Sequence, residues 1–354
     1  MRVLKTAVLF LIFAIISSQS MGQKTSEIPI KLLKLTDRTV FINAGETDVI
    51  PNILAFSTEK GLIVINSGAL TDITIRAKKL IEKDFGKKDF AFVINTGSSL
   101  GYTKGNHLFD NACIIGHTNG KSNMERIFKS LNDMKKDPQK LDNQVNNLNT
   151  MTNKMLEGVK KGSSWENMIK ENLNYENQFF NELKSSDFQF KFPDITFDER
   201  LCLYTGNFTI NLINSGVTKK KDDILIYMPE LKLLHVGEIF TKNRLPQITE
   251  SSDIPKWLSI FQQFLEKENE IGYVIGGHGE IMSMKDIRDN LEYINDLYEG
   301  IKSAKSSGSA LEDVKEKFSF TNFNHMTHID PNFPGMMVNM HDMNINSIWK
   351  ILDK

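Results

Sequence analysis

The spacing of apolar residues changes character several times along the chain, and those changes divide it into elements. From Ile28 the apolar runs are short and closely punctuated: residues 32–35, 39–42, 52–57 and 62–65, parted by Asn43-Ala44-Gly45 and Glu59-Lys60-Gly61. Short runs between such turn formers predict strands. Ile73, Ala77, Leu80 and Ile81 then repeat at helical spacing, and residues 90–94 return to a strand. Strand, helix and strand with a polar loop at the top make a βαβ unit. That loop, Thr96-Gly97-Ser98-Ser99-Leu100-Gly101, is followed by a short segment to Phe109 and a second apolar run, 112–115, closing on Gly116-His117. A loop at the carboxyl end of a buried strand is where α/β proteins hold their chemistry.

Helical spacing takes over between Met124 and about Leu183, with apolar residues at Met124, Ile127, Leu131, then Leu148, Met151, Met155 and Val159, and a break at Gly162-Ser163-Ser164. Two or three amphipathic helices are expected, inserted over about 121–186. Their many charges read as a solvated face, and an interaction role would require an exposed apolar patch. Strand signals return over 192–212 and 215–240, where alternation and turn residues predict hairpins. A helix carrying Trp257, Leu258, Phe261, Phe264 and Leu265 follows, then a strand from Tyr273, and a helix with Ile287, Leu291, Ile294, Leu297 and Ile301. Residues 28–302 form the domain and 303–354 an extension, ending in a docking helix with Ile345, Ile348, Trp349 and Leu352 on its apolar side.

Composition narrows the class. The 354 residues are 40% hydrophobic and 25% charged, enough for a sizeable core, and 43 basic against 44 acidic residues give no footprint for nucleic acid. Arg2 and Lys5, an apolar stretch over 7–16, and small or polar residues over 17–22 have the pattern of a cleavable export signal, residues 1–22. The apolar run is shorter than the roughly 20 residues of a membrane span. A soluble periplasmic or extracellular protein with no integral membrane span is expected. Cys113 and Cys202 each lie in an apolar run; they could pair in an oxidising compartment or remain as two buried thiols.

The order of motifs is more specific. Asn66-Ser67-Gly68 follows one strand and Thr96 to Tyr102 the next; later come Gly216-Val217-Thr218, Asp222-Asp223, a strand, Met228-Pro229-Glu230, a strand, Gly237-Glu238, and Tyr273-Val-Ile-Gly-Gly-His278-Gly-Glu280. This succession resembles the metallo-β-lactamase superfamily over about residues 32–302. The resemblance implies an αββα sandwich of two mixed β-sheets flanked by helices, with a hydrolase cleft at the strand ends. In that superfamily the first long loop reads Thr-His-x-His-x-Asp-His and grips zinc. Here Gly97, Ser99, Gly101 and Tyr102 stand in the ligand slots, Val217 in the next histidine slot, Glu238 at the bridging aspartate and His278 at the last histidine. Asn66 replaces an aspartate that braces the metal loop, which fits a loop with no histidines left to orient.

A catalytic zinc needs three protein ligands at about 2 Å and an open position for water. Only Glu238 and His278 remain, so no metal or other cofactor is expected, with zinc reserved for a remodelled site. The favoured reading is a catalytically silent homologue that binds a small molecule or protein through the old cleft, lined by Ser98, Ser99, Tyr102, His117, Asp222, Glu238 and His278. An alternative is a hydrolase with a remodelled mononuclear or metal-free site, using Glu238 and His278 as an acid/base pair. His107, Asp110 and His117 lie close enough in sequence to recruit a metal differently. A third reading takes Gly97 to Gly101 as a G-x-S-x-G elbow, with Ser99 as nucleophile and Asp222 and His278 in serine-hydrolase order. Against it, Tyr102-Thr-Lys-Gly105-Asn breaks the helical pattern at once, and no upstream segment offers oxyanion donors. His325, His328 and His341 lack the Glu of a zinc-protease helix, and Phe323, Pro331 and Pro334 predict an irregular packed segment around the first two.

Overall fold

Alternation along a strand sends successive side chains to opposite faces, so a sheet with both faces buried must be covered twice. The computed structural model describes residues 26–185, 188–218, 220–320 and 334–353, which leaves the export stretch, His325 and His328 outside the described residues. In the first sheet β1 (Ile30–Thr36), β2 (Thr39–Ala44), β3 (Ile53–Thr58) and β4 (Gly61–Ile65) run antiparallel in chain order, and β5 (Phe90–Ile94), β6 (Cys113–His117) and β7 (Ile195–Phe197) continue it in parallel. The second sheet orders its strands β12 (Tyr273–Ile275), β11 (Leu233–His235), β10 (Ile224–Met228), β9 (Thr209–Asn214) and β8 (Arg200–Tyr204); only the β11/β12 pair is parallel.

One layer of side chains joins the sheets. Leu54, Phe56, Ile63, Ile65, Ile94 and Ile115 meet Ile210, Leu212, Ile224, Ile226, Leu233 and Ile275 from across the gap. Each is fully buried, which stabilises the fold by about 1.5–3 kcal/mol per side chain before the cost of ordering the chain. The outer face of the first sheet, with Val40, Leu62, Val64 and Val93, packs on Ala77 and Ile81 of α1 (Thr71–Phe85). Further along lie α2 (Leu100–Thr103), α3 (Thr118–Lys135), α4 (Pro138–Glu157), α5 (Ser164–Lys184), α6 (Ile254–Leu265), α7 (Met284–Ser306), α8 (Leu311–Lys317) and α9 (Pro334–Ile351). Leu225, Leu234 and Val274 on the outer face of the second sheet are covered by Trp257, Phe261, Ile287, Ile294, Ile345 and Ile348 from α6, α7 and α9. Helix, sheet, sheet, helix is the layering the motif order implied.

Several local expectations change. The stretch from Phe192 is not all hairpin: β7 pairs in parallel with β6, Ile115 opposite Ile195, and the chain reaches the second sheet only at β8. Parallel neighbours require a crossover, and α3, α4 and α5 supply it. The helical segment is therefore the β6–β7 connection. Its breaks are caps, with Asp137 accepting from Lys140 N at α4 and Ser163 from Glu166 N at α5. Among its described residues the exposed large apolar side chain is Met151, so no contiguous apolar patch supports an interaction role.

The cysteines are free: Cys113 is half-buried in the first sheet, and Cys202 is exposed on β8 of the second, so the expectation of two buried thiols fails for Cys202. At the C-terminal end Asn344 accepts from Ile248 N (2.8 Å) and donates to Pro246 O (2.8 Å) and the Tyr293 hydroxyl (3.0 Å), fastening α9 to the domain. Among the described residues no helix is long and apolar enough to cross a membrane.

Candidate functional site

The loops leaving β4, β5, β11 and β12 meet at one end of the sandwich, and hydrogen bonds from buried amides fix each of them. Asn66 adopts a left-handed backbone (φ 61°), and its Oδ1 accepts from Thr96 N (2.9 Å) and Thr96 Oγ1 (3.0 Å). Without histidines to orient, this residue still braces the loop. The Asn95 and Asn106 amides bond reciprocally at 3.0 and 2.8 Å, and the Tyr102 carbonyl accepts from Asn95 Nδ2, Ser67 Oγ and Ser67 N. These bonds hold α2 and the 3-10 turn Lys104–Leu108 directly after the loop, where the sequence pattern pointed to an immediate loss of helix. Tertiary contacts outweigh poor propensity here.

The Tyr102 side chain is completely buried where these loops meet. Its ring lies 5.8 Å from that of His278, centroid to centroid. The hydroxyl rests on Gly277, where an added Cβ would come within 2.0 Å of it, so only glycine fits. That hydroxyl faces the Glu238 carboxylate without forming a hydrogen bond of normal geometry. Burial, followed by the nearby carboxylates of Glu238 and Asp223, holds the phenol well above its ordinary pKa, so it stays protonated.

The glycine-rich loop after β12 is stapled by Asn52, whose Nδ2 donates to Gly276 O (3.2 Å) and Gly279 O (2.9 Å), while Gly277 N donates to Gly237 O (2.7 Å) in the β11 loop. His278 Nδ1 lies 3.2 Å from the Asp48 carbonyl, which can only accept, so Nδ1 carries the proton and Nε2 the lone pair. Burial lowers the His278 pKa despite the opposing charge of Glu238, leaving a neutral imidazole near pH 7.

Carboxylates complete the cleft. Asp222 is fully buried; its Oδ2 accepts from Ser98 N (3.2 Å) and Asn123 Nδ2 (3.1 Å), and its Oδ1 has no partner, nor does the buried Ser98 Oγ. Asp223 is pushed well above the usual carboxylate range, first by burial and then by Glu238 and Asp222, and takes a short hydrogen bond from Thr218 Oγ1. Lys220 Nζ stands 3.3 Å from Glu238 Oε2. Burial alone would lower its pKa, but Glu238, Asp222 and Asp223 outweigh that and raise it. Lys220 carried no signal in the sequence beyond a charged turn, and Asp223 only its place in the Asp222-Asp223 doublet.

Of the expected cleft residues, Ser98, Tyr102, Asp222, Glu238 and His278 belong to this arrangement. Ser99 only precedes α2, its carbonyl accepting from Tyr102 N and Thr103 Oγ1. His117 does not join: it caps α3, with Nδ1 accepting from Asn119 N (3.0 Å) and Nε2 2.6 Å from Asp198 O. His107 Nδ1 is spent on Lys104 O (2.8 Å) and Asp110 is exposed, so these three do not rebuild a metal site. His341 is structural, lying 3.1 Å from the Tyr293 hydroxyl and 2.6 Å from Phe318 O. Asp222 and His278 have separate partners, so the Asp–His bond of a serine-hydrolase triad is not formed. Glu238 and His278 are likewise engaged apart, with Lys220 and the Asp48 carbonyl.

A binuclear zinc centre does not fit these residues. A buried phenol stands at one ligand slot, an ammonium faces the bridging-acid slot, and among the described residues no three His, Cys, Asp or Glu side chains are placed to share an ion.

Two mixed sheets between helix layers, with four loops converging at one end, define a metallo-β-lactamase-fold protein. No family model matches the sequence, and no curated protein matches it. Solved structures do. A metallo-β-lactamase from Pontibacter korlensis aligns at TM-score 0.50 and 12% identity over 76% of this chain and 100% of its own. The stereoselective inverting sec-alkylsulfatase Pisa1 from Pseudomonas sp. aligns at TM-score 0.59 and 12% identity over 90% of this chain, and a double mutant of that enzyme at 0.60. This chain spans 49% of the alkylsulfatase chains. At such identity the likeness establishes the fold.

Proposed function

We propose that this protein uses the metallo-β-lactamase fold without a zinc centre, as an exported, catalytically silent homologue whose cleft binds a small molecule. One observation carries the reading: Tyr102, at a ligand slot of the motif order, is buried and protonated among the converging loops. Fold alone would suggest hydrolysis, but function resides in the site. The unpartnered Ser98 Oγ and Asp222 Oδ1 offer a donor and an acceptor to a ligand able to open the loops around them. Elemental analysis of protein purified without chelators tests this. Zinc well below one equivalent, with the same melting temperature in EDTA, is expected; one equivalent or more of tightly held zinc overturns it. Amino-terminal sequencing of the mature protein tests export, with cleavage near Gly22 expected.

A second reading is favoured by one feature of His278. Its neutral ring, with Nδ1 held by the Asp48 carbonyl and Nε2 left with a lone pair, is in the state of a general base. It predicts metal-independent turnover of an activated ester that His278→Asn abolishes; equal background rates in both proteins remove it.

A further inference from the structure

A β-sheet ends in strands whose outward N–H and C=O groups have no neighbour, and proteins usually blunt such edges with lysine, proline, shortness or a covering segment. The two sheets end in β1, β7, β8 and β12. β1 carries Lys31 and Lys34; β7 and β12 are three residues each, and Val274 on β12 is bridged by Met282. β8 has none of these guards. It is five residues long, Arg200-Leu-Cys-Leu-Tyr204, without lysine or proline. Its side chains alternate: Leu201 and Leu203 pack inward, while Arg200, Cys202 and Tyr204 are exposed, Tyr204 to 77%.

The direction of its backbone groups follows from the bonds at either end. Asn214 N donates to Glu199 O (2.8 Å) and Thr205 N to Phe208 O (3.0 Å), so the odd-numbered residues bond to β9. Bonded and non-bonded pairs alternate along an antiparallel ladder. Arg200, Cys202 and Tyr204 therefore turn N–H and C=O to the open side, where among the described residues no other element bonds to them.

We infer that the β8 edge is an interface between two copies of this chain, paired antiparallel about a two-fold axis at Cys202. That register is self-complementary. Cys202 meets Cys202 of the second copy, and each Arg200 meets the other copy's Tyr204, so all the outward residues fall in bonded pairs. Each guanidinium is thereby set against an exposed aromatic ring, a cation–π contact made on both sides of the axis. Sliding one strand by two residues sets Arg200 opposite Cys202 or Gly206 and loses both contacts.

Light scattering after gel filtration, through the micromolar range, reads the mass of the purified protein, and a short bis-maleimide reads the closeness of the thiols. The native protein should run at twice the chain's mass and cross-link through Cys202, located by peptide mapping. Cys202→Ser should lose the cross-link and keep the dimer. Tyr204→Lys faces an ammonium with a guanidinium on both sides of the axis and should weaken association at least about tenfold. Adding Arg200→Glu makes both pairs attractive and should restore it. These side chains are exposed, so melting temperature should hold; Cys202→Lys, with two ammoniums at the axis, repeats the test should Tyr204→Lys unfold. A monomer throughout the range overturns the inference, and so does a dimer indifferent to Tyr204→Lys. A loss in Tyr204→Lys that Arg200→Glu does not reverse assigns the edge to some other strand and overturns self-pairing.

Discussion

Lys104 is 1% exposed and pairs with Glu182 of α5 at 3.2 Å, tying the segment after the cleft loop to the crossover helices. The two partners are not equivalent. Glu182, 23% exposed, also accepts from Thr71 N (2.8 Å) and Thr71 Oγ1 (2.9 Å), whereas among the described residues the ammonium has, besides Glu182, Thr71 Oγ1 (3.2 Å) and the Phe188 face, 4.9 Å from its centroid. Glu182→Gln strands a buried charge, which costs about 3–5 kcal/mol; the Phe188 face offsets about 1 kcal/mol, so about 3 kcal/mol is expected. Lys104→Met keeps the aliphatic volume and leaves a partly wetted carboxylate with both of its Thr71 bonds, so about 1 kcal/mol is expected. The double variant should cost no more than Lys104→Met, since nothing is then stranded. Urea denaturation followed by circular dichroism and tryptophan fluorescence measures all three. Equal costs for the two single variants, or simple additivity, would refute the asymmetry.

Other expectations follow from the same contacts. Tyr102→Phe removes a buried hydroxyl that makes no hydrogen bond of normal geometry, so stability should be unchanged or raised by up to about 1 kcal/mol; a larger loss in chemical denaturation would show that its contact with Glu238 is a full hydrogen bond. Asn66→Ala gives up both Thr96 bonds and places alanine in a left-handed backbone, for about 2–4 kcal/mol, while Asn66→Gly should cost about 1 kcal/mol less; equal denaturation midpoints would contradict the backbone part. His235 is buried between the sheets and pushed down to about 3 by burial. The unfolded chain, near pKa 6.5, then binds more protons than the native state between pH 6.5 and 3. Stability is complete above that window and falls on acidification through it, by about 2 kcal/mol from pH 7 to 5. His235→Asn, which keeps an acceptor for Gly237 N, should shrink the shift in urea midpoint between those pH values; an unchanged shift assigns the acid sensitivity elsewhere.

Sequence pattern located the elements wherever a run was long enough to show a period. It missed the placement of β7, because Ile195-Thr-Phe197 is a three-residue edge strand with Ile195 42% exposed, and only its partner β6 decides its sheet. It missed α2 and the 3-10 turn after it because Gly101 and Gly105 argue against helix, while a close approach to Ser67 O and the Thr74 side chain requires glycine at position 105, where a Cβ would lie 2.2 Å from that oxygen. At the site, motif order identified Tyr102, Glu238 and His278, and the Asp222-Asp223 doublet. Lys220 stayed hidden in a Lys-rich turn, where charge ordinarily means solvent, and its partner Glu238 is 18 residues away. His117 misled because a histidine after a strand reads equally as a ligand or a cap.

The crossover helices do more than connect β6 to β7. From α5, Glu171 Oε2 accepts from Glu46 N (2.9 Å) and Thr47 N (3.0 Å), and Glu182 holds Thr71 and Lys104. The first contact fixes the loop that ends at Asp48, whose carbonyl meets His278 Nδ1 and whose carboxylate pairs with Arg244. The second fixes the turn that follows Tyr102. Two acids on one helix thus brace opposite walls of the cleft, and α3 adds a third brace through Asn123 and Asp222. A parallel strand pair cannot form without a crossover, and here the connection also carries the side chains that position His278, Tyr102 and Asp222. The charged helices, which in the sequence read as a solvated addition, are part of the scaffold on which the cleft depends.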